Sequence, residues 1–447
     1  MSKSTPSPSQ LMFAEDEIGA FFHYGINTFT GDEHGCGSWP ASAFCPPKPI
    51  DFDQWLRVAK STGARYACFT ARHEEGFCLW PTKSTDYSIE SSPHHGNDLV
   101  RNFVNACHRQ GVKPGFYHSC YHDAHHTFNP GSCPTWGQEW DSLCNNIFLN
   151  PSKLEQFTRI QLTQIEELLT NYGPIYYLWL DHYGCPGTGA ADLWRTIANR
   201  IRQLQPECLI MGIDTTTPGN ETGHVTCPLW NPVETTDGTA FTLAIASASS
   251  SNNYGLLETS VVSGNPNGAH WRVRECPTNV GFHTEGWFWH PAPREPKPLQ
   301  LDCHIDLYRR TVGLGANLII NLPVNSEGVV PDDIATAAER FGSWKKSNYG
   351  SPIAKTSGVD WEIIQIFQNP TVCSEFIVAE DISKGQTVVE YEVYLLFGNE
   401  WTKIAQGETV GHKIIITIPA CETTGMRFLA TRTCDGNPPA ISEFSAY

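Results

Sequence analysis

The sequence lacks any long apolar run. No stretch approaches the roughly 18 apolar residues that a membrane-spanning helix requires, and the opening residues MSKSTPSPSQ hold one early lysine with no apolar segment behind it. These absences argue against a membrane-spanning helix and against a secretion signal in this sequence. We therefore expect a cytoplasmic protein if the chain is complete.

Positive charge is also scarce. The 447 residues include 30 Lys and Arg against 47 Asp and Glu, which gives a net charge of −17. A field of this sign repels phosphate backbones and anionic lipids, so we expect neither nucleic acid nor a membrane surface as a partner. The length predicts two or three domains with cores large enough to be stable without staples.

Cysteines are present, but paired cysteine motifs are missing. The 16 cysteines are scattered singly with no CxxC pair, and some, such as Cys68 and Cys78, lie within apolar strand-like runs. This distribution predicts that most of them are reduced thiols buried as small apolar side chains.

Short apolar runs alternate with amphipathic helical patterns between residue 18 and about residue 325. This alternation is typical of βα units on a parallel sheet, and eight such units would close a (β/α)8 barrel. Two of the expected strands fall in the stretch 225–290, where the pattern does not place them. The other six predicted strands are Ile18–Phe22, Ala64–Thr70, Pro114–His118, Ile175–Leu180, Cys208–Ile213 and Asn317–Leu322.

The pattern changes near residues 347–352, where turn-forming residues interrupt it. The remaining segments, such as Val388–Leu396 and His412–Ile418, are β-branched or alternate in polarity, with Gly-rich turns between them. We therefore predict a catalytic (β/α)8-like barrel over residues 1–346 and an antiparallel β-sandwich over residues 347–447.

Polar side chains follow the predicted barrel strands, at the end where the catalytic groups of such barrels lie. Two of the carboxylates among them, Asp181 and Glu221, follow adjacent predicted strands, and such a pair beside histidines and tryptophans is typical of glycoside hydrolysis. Trp179 lies two residues before Asp181, so both point to the same side of a strand. These strand-end residues are His23, His73, Glu74, Tyr117, His118, Asp181 and Glu221.

Several of these segments together resemble a known enzyme family. The chain is similar to the α-L-fucosidases of glycoside hydrolase family 29, and within it to the branch that cleaves α-1,3 and α-1,4 linkages. The resemblance covers nearly the whole chain and includes the β-rich tail. Its motifs are FFHYGINTFTGDE, TARHEEGFCLWPTKSTDYS, GFYHS, NYGPIYYLWLD, GNETG, GWFWH and NLIINLPVNSEG.

The resemblance implies a retaining mechanism that needs no cofactor or metal, with an oligosaccharide or glycoconjugate as substrate. Asp181 matches the family's nucleophile and Glu221 its acid/base, and a covalent intermediate requires their carboxyl groups about 5 to 5.5 Å apart. Glu275 is a reserve candidate for the acid/base. Residues expected to bind the sugar are His23, Glu33, His34, His73, Glu74, Tyr117, Trp179, Glu275 and Trp289.

Two departures from the family pattern fall on expected sugar contacts. Where the family has His-His-Asp-Gly-Phe this chain has His73-Glu74-Glu75-Gly76-Phe77, and where it has Glu-Trp this chain has Glu33-His34. A carboxylate accepts hydrogen bonds from two adjacent hydroxyls, which an imidazole cannot do. The changes leave open a different L-sugar, for example one with an equatorial 4-hydroxyl such as L-glucose.

Two other functions remain open from the sequence. His118, His122, Asp123, His125 and His126 crowd one loop and could supply zinc ligands, which would indicate a metal-dependent hydrolase. Alternatively, the altered sugar contacts could mark a sugar-binding protein that has lost catalysis. The retention of both predicted catalytic carboxylates argues against that second alternative.

Overall fold

A computed structural model describes residues 4–35, 37–120, 122–127, 150–181, 190–216, 223–225, 227–234, 263–279, 286–291 and 300–447. Within them, an eight-stranded parallel sheet precedes a six-stranded antiparallel sheet. A separate pair of two-residue strands, the seventh and eighth in chain order, lies between strands of the first sheet along the chain. The first ten strands are β1 Ile18–Phe22, β2 Tyr66–Arg72, β3 Lys113–Ser119, β4 Tyr177–Asp181, β5 Leu209–Ile210, β6 Thr215–Thr216, β7 Pro232–Val233, β8 His270–Trp271, β9 Val273–Thr278 and β10 Asn317–Asn321.

Helices lie between most of the parallel strands. Two of them, α2 and α5, are single turns, and the others run from 9 to 20 residues. The helices are α1 Pro8–Asp16, α2 Asn27–Thr30, α3 Phe52–Thr62, α4 Leu99–Gln110, α5 Ala124–Thr127, α6 Pro151–Thr170, α7 Ala190–Leu204, α8 Leu301–Thr311 and α9 Asp332–Tyr349.

The parallel sheet curls round and closes. Its strand order is β5-β4-β3-β2-β1-β10-β9-β6, and a bridge between Met211 and Thr215 joins the strands at the two ends of this order. All the neighbouring pairs run parallel, so their carboxyl ends meet at one rim. The predicted barrel class is confirmed.

One part of the barrel differs from a regular eightfold βα repeat. The two strands expected in the stretch 225–290 are only half right, because β9 lies there but the other barrel strand is β6 at Thr215–Thr216. No helix separates β5 from β6, since only four residues connect them. Strands β7 and β8 pair with each other instead of joining the barrel.

Local capping explains where the helices begin and end. Asp51 accepts a hydrogen bond from the Gln54 amide at the start of α3, and Gly63 ends that helix with φ 92°. Gly111 ends α4 in the same left-handed conformation.

The second sheet belongs to the predicted antiparallel β-sandwich class. Its order is β11-β16-β12-β15-β13-β14, and its buried side chains form a separate hydrophobic core that includes Phe376, Val393 and Phe428. The predicted boundary at residues 346/347 falls in the last turn of α9. The strands are β11 Ala354–Val359, β12 Glu362–Glu380, β13 Val388–Phe397, β14 Glu400–Gly407, β15 Ile414–Thr433 and β16 Ala440–Ala446.

The two parts pack directly against each other. Ile382 and Ile415 from the β-rich part join the hydrophobic core of the barrel. The buried Gln386 side chain donates to the Leu229 carbonyl at 2.7 Å and accepts from the Asn231 amide at 3.0 Å. Among the described residues, no helix combines the length and apolar character needed to cross a membrane.

Candidate active site

Strands β1 to β4 bring polar side chains together at the carboxyl rim of the barrel. His23 follows β1, His73 and Glu74 follow β2, and Tyr117 lies near the end of β3. Asp181 is the last residue of β4. The structure thus brings these five side chains to one rim of the barrel.

The Asp181 carboxylate is held by a tyrosine from the neighbouring strand. The Tyr117 hydroxyl donates to Asp181 Oδ2 at 2.6 Å. Burial, together with the nearby Asp181 charge, raises the pKa of Tyr117 well above its usual value. The hydroxyl therefore keeps its proton and continues to donate to the carboxylate.

Aromatic rings form the wall beside Asp181. Trp179, which is 6% exposed, meets Phe21 edge-to-face with ring centroids 4.9 Å apart. The imidazole of His73 stacks on Tyr117 at 5.0 Å with an interplanar angle of 18°. Such rings supply an apolar surface against which the C–H face of a sugar can pack.

The pKa values of two buried histidines of the wall are shifted in opposite directions. Burial and the neighbouring His73 lower the pKa of His23 well below its usual value, although its hydrogen bond with Asn321, at 3.0 Å, opposes the shift. Burial also lowers the pKa of His73, but Glu75 and Glu74 outweigh it and raise that pKa overall. A neutral imidazole thus lies beside one that favours the charged form.

A short segment, residues 286–288, packs against His23 and His73. The Trp287 ring contacts His23 at 5.0 Å, and Phe288 meets His73 edge-to-face at 4.9 Å. Glu33 fixes this segment, because its carboxylate accepts hydrogen bonds from the backbone amides of Trp287 and, at 3.3 Å, Phe288. Glu33 therefore supports the wall of the site through the backbone.

Two of the residues that depart from the family pattern, His34 and Glu74, contact each other. His34 Nδ1 lies 2.9 Å from Glu74 Oε2, and His122 Nδ1 lies 3.8 Å from the other oxygen of that carboxylate. Glu74 is 3% exposed, whereas the His34 side chain is 36% exposed. The two substitutions thus form one structural unit at the edge of the pocket.

Glu275 does not join this group, which corrects the expectation that it binds sugar or serves as a reserve acid/base. Its carboxylate is fully buried and accepts hydrogen bonds from the Tyr177 hydroxyl and, at 3.0 Å, from Thr215. Tyr177 begins β4 and Asp181 ends it, a separation of about 13 Å along a strand. Glu275 therefore lies deep in the barrel, towards the end opposite Asp181.

Sequence reasoning missed three residues of the pocket. Asn321 ends β10 just as Asp181 ends β4, and it contacts both His23 and the Trp287 carbonyl. The rule that singled out polar strand ends could have found it. Trp287 and Phe288 belong to the GWFWH motif, from which we chose the half-buried Trp289.

Glu221 lies outside the described residues. In the described residues that follow it, the Thr311 hydroxyl donates to the Gly223 carbonyl, and the Val225 amide donates to the Arg310 carbonyl at 3.1 Å. The segment that follows Glu221 is thus anchored on α8. The spacing between the carboxylates of Asp181 and Glu221 stays a prediction.

Side chains of the histidine-rich loop, residues 118–126, interact with other protein groups. Asp123 forms an ion pair with Arg72 at 2.5 Å, and His118 Nε2 lies 3.0 Å from Gln164 Oε1. His125 Nδ1 lies 2.9 Å from the Gly37 carbonyl oxygen. Across the described part of the chain, no group of three or more His, Cys, Asp or Glu side chains is arranged to hold a metal ion.

Comparison with known proteins gives a consistent result. The family model described as Alpha-L-fucosidase matches residues 38–350. Alpha-L-fucosidase 1 of Arabidopsis thaliana is 28% identical over 92% of this chain and 81% of its own length.

Solved structures agree over the whole chain. A Bacteroides thetaiotaomicron protein described as a candidate alpha-L-fucosidase has a TM-score of 0.84 at 26% identity, covering 100% of this chain and 99% of its own. A glycoside hydrolase 29 family member from an unknown rumen bacterium has a TM-score of 0.79 at 27% identity, covering 100% of this chain and 77% of its own.

Proposed function

Because the chain belongs to the α-L-fucosidase family, glycoside hydrolase family 29, whose members are retaining glycosidases, we propose that Asp181 and Glu221 catalyse removal of a terminal α-L-fucosyl-type residue. The substrates of such enzymes are oligosaccharides or glycoconjugates. The observation that carries the residue assignment is the Asp181 carboxylate at the barrel rim, held at 2.6 Å by Tyr117 within a wall of histidine and tryptophan rings.

The chemistry proceeds in two displacements. The Asp181 carboxylate attacks the anomeric carbon while Glu221 gives its proton to the departing glycosidic oxygen, which leaves a glycosyl ester on Asp181. Glu221 then takes a proton from water as that water attacks the same carbon and releases Asp181. Each step balances with these two side chains and one water molecule.

The Tyr117 hydroxyl has a defined role in this reaction. By donating to Oδ2 it fixes the rotation of the carboxylate, and a positioned nucleophile lowers the barrier by limiting the geometries to be searched. In this proposal His23 and His73 bind sugar hydroxyls, and Trp179 packs against the sugar ring.

Asp181→Ala tests the assignment. We expect hydrolysis of an aryl α-L-fucoside to fall by at least 1,000-fold, on the order of the loss seen when a nucleophile is removed. Asp53→Asn serves as the control, because this aspartate of α3 forms a solvent-accessible ion pair with Arg109 of α4, with the two atoms 2.7 Å apart. Undiminished hydrolysis by Asp181→Ala would refute the nucleophile, and a wild-type chain that binds sugars without turnover would favour the catalytically silent alternative.

The contact between His34 and Glu74 favours a second candidate, a related α-L-glycosidase with changed sugar preference. The carboxylate and imidazole replace two residues of the family pattern and lie 2.9 Å apart, so together they present different hydrogen-bonding groups to a sugar. A site built to bind one hydroxyl arrangement rejects another, because its buried polar groups are left unpaired.

A panel of nitrophenyl α-L-glycosides separates the two candidates. Fucoside, glucoside, galactoside and rhamnoside are compared by kcat/KM for the wild-type chain and for the double variant His34→Trp/Glu74→His. If the sugar preference has changed, the kcat/KM for fucoside, divided by that for the glycoside which the wild-type chain prefers, should rise about tenfold or more in the double variant. A wild-type chain that already prefers fucoside, with no gain in the double variant, would refute the changed preference.

A further inference from the structure

A fully buried ion pair lies beneath the loop that carries Glu74. Arg72 is the last residue of β2, directly before His73 and Glu74, and its Nη1 lies 2.5 Å from Asp123 Oδ2. Both side chains are 0% exposed. Such a pair is costly to desolvate, so its presence beside the pocket requires an explanation other than simple stabilisation.

Further side chains complete a network around the pair. Arg72 Nη2 donates to Gln161 Oε1 at 3.1 Å, and Gln161 Nε2 donates to Asp123 Oδ2 at 3.3 Å. His126 Nδ1 lies 2.8 Å from Asp123 Oδ1. The network links the end of β2, the segment 122–126 and helix α6.

Backbone contacts transmit the position of Asp123 to Glu74. The Ala124 amide donates to the Glu74 carbonyl at 2.8 Å, and the His125 amide donates to the Glu75 carbonyl at 3.2 Å. Gly76 has φ +95°, and a Cβ there would lie 2.5 Å from Asp123 Oδ1. The two segments are therefore closely fitted at Asp123, with little room for either to shift.

We propose that Arg72 and Asp123 are a positioning pair that fixes the Glu74 carboxylate for recognition of a sugar hydroxyl. This inference rests on the proposed function, because it assigns the pair a role in selecting the sugar and not in the chemical step. Recognition by a carboxylate is sensitive to displacements of about half an ångström, so a rigid support beneath Glu74 sharpens selectivity.

A double-mutant cycle tests whether Asp123 acts through Glu74. The variants are Asp123→Asn, Glu74→Gln and the two combined, and the quantities are KM, kcat and the ratio of kcat/KM for the two best glycosides of the panel. We expect each single change to lower that ratio about tenfold, chiefly through KM, and the combined variant to be no worse than about the poorer single one. Independent roles would instead multiply the two losses, and that result would overturn the inference.

A matched control accounts for the loss of a buried charge. Asp16, at the opposite end of the barrel strands, is 4% exposed and pairs with Lys113 at 2.7 Å. Asp16→Asn should leave the substrate ratio unchanged. If Asp123→Asn fails to fold, Arg72→Met/Asp123→Leu removes both charges together, which proteins tolerate better, and it should show the same loss of selectivity.

A crystal structure of Asp123→Asn, or of Arg72→Met/Asp123→Leu if Asp123→Asn does not fold, tests the positioning role independently of catalysis. We expect the contact between Glu74 and His34 to be lost or displaced, whether or not the chain hydrolyses any glycoside. A Glu74 carboxylate that stays within hydrogen-bond distance of His34 would overturn the positioning role. A wild-type chain that cleaves nothing in the panel, with Glu74 displaced in the variant, would refute the proposed function alone.

Discussion

The Tyr117 hydroxyl holds the Asp181 carboxylate from the neighbouring strand. It comes from the adjacent strand β3, and the register pairs Tyr117 with Trp179 and Ser119 with Asp181. The contact is therefore set by the barrel sheet and not by a loop. A site built on strands holds its side chains more closely than a site built on loops.

Tyr117→Phe should lower kcat for an aryl α-L-fucoside by about 10- to 100-fold, because a hydrogen bond to a charged group contributes about 1.5 to 3 kcal/mol. Steady-state kinetics at the pH optimum measure the change. Tyr176→Phe is the matched control. The Tyr176 hydroxyl also donates to a carboxylate at 2.6 Å, but its acceptor is Asp16, at the opposite end of the barrel strands. Equal rates for wild type and Tyr117→Phe would contradict the assigned role.

Glu275 illustrates how a buried carboxyl differs from a catalytic one. Burial raises its pKa to about 8 from the ordinary 4.5, although hydrogen bonds from Tyr177 and Thr215 oppose the shift. The folded protein therefore keeps this proton over a pH range in which the unfolded chain has lost it. Its contribution favours folding at low pH and is lost as the pH rises from about 4.5 towards 8.

Glu275→Gln should accordingly remove part of the decline in stability between pH 5 and pH 8. The free energy of urea unfolding at the two pH values, compared with wild type, gives the measurement. Glycosidase activity should persist, since Glu275 accepts a hydrogen bond from Tyr177, and Tyr177 lies about 13 Å from Asp181 along β4. An unchanged pH profile, or a loss of activity confined to poor leaving groups, would argue against this account.

Much of the site follows from residue types at strand ends, and the rest depends on contacts distant in sequence. His23, His73, Tyr117 and Asp181 each end or follow a strand, so the barrel topology alone predicts their proximity. The pairing of His34 with Glu74 spans 40 residues and follows from no local pattern. Glu275 was named from the family resemblance, which does not show how deep in the barrel its carboxyl group lies.

Among the elements, the accuracy of the predicted strand bounds depended on strand length. Strands β1, β3 and β10 have five to seven residues and strong apolar runs, and each agrees with its prediction within one residue at either end. Strand β5, Leu209–Ile210, is much shorter than the predicted Cys208–Ile213, and β6 has two residues, too few for a periodic signal. Their pairing is set by the closure of the barrel, which no local pattern encodes.

Strand β1 also shows why one small residue is required at a barrel position. A Cβ on Gly19 would lie 2.2 Å from the Tyr66 ring on the neighbouring strand. Gly19→Ala should therefore destabilise the chain by at least about 1 to 3 kcal/mol through overpacking, as measured by chemical unfolding.

Gly358→Ala provides the comparison, because the Cβ would make ordinary contact with Ile363 at 3.6 Å. It should change stability by less than about 1 kcal/mol, the range of compatible glycine replacements. Equal effects of the two substitutions would show that the Tyr66 ring yields to the added methyl group.

For the molecule as a whole, the β-rich part supports the barrel through polar and apolar contacts. Ile382 and Ile415 reach the barrel core, and Lys413 pairs with Glu17 at the end of α1. Glu17 has φ 55°, a left-handed conformation that is uncommon for a residue other than glycine. We propose that residues 347–447 serve to hold the barrel rather than to bind sugar separately.

Glu17→Gln tests this interface through its pH dependence. Burial raises the pKa of Glu17, but Lys413 and His412 outweigh it and hold that pKa far below 4.5. The stabilisation is therefore present above about pH 4.5 and is lost as the pH falls below it. We expect wild type to exceed Glu17→Gln in Tm at pH 7 and the difference to shrink below pH 4.

An exposed ion pair provides the control for this comparison. Lys48 and Glu327 lie 2.8 Å apart with both side chains more than half exposed. Glu327→Gln should change Tm little at either pH, because exposed ion pairs contribute at most about 1 kcal/mol. A similar Tm change in both variants would contradict a special role for the interface.

The most direct measurement of the central claim is covalent trapping of the nucleophile. An α-L-glycoside with fluorine at the 2-position and an activated leaving group forms the glycosyl ester faster than water removes it, and peptide mass spectrometry then locates the label. The account predicts one sugar on the peptide that contains Asp181 and none in Asp181→Ala. A label on another carboxylate, or turnover with inversion and no label, would contradict it.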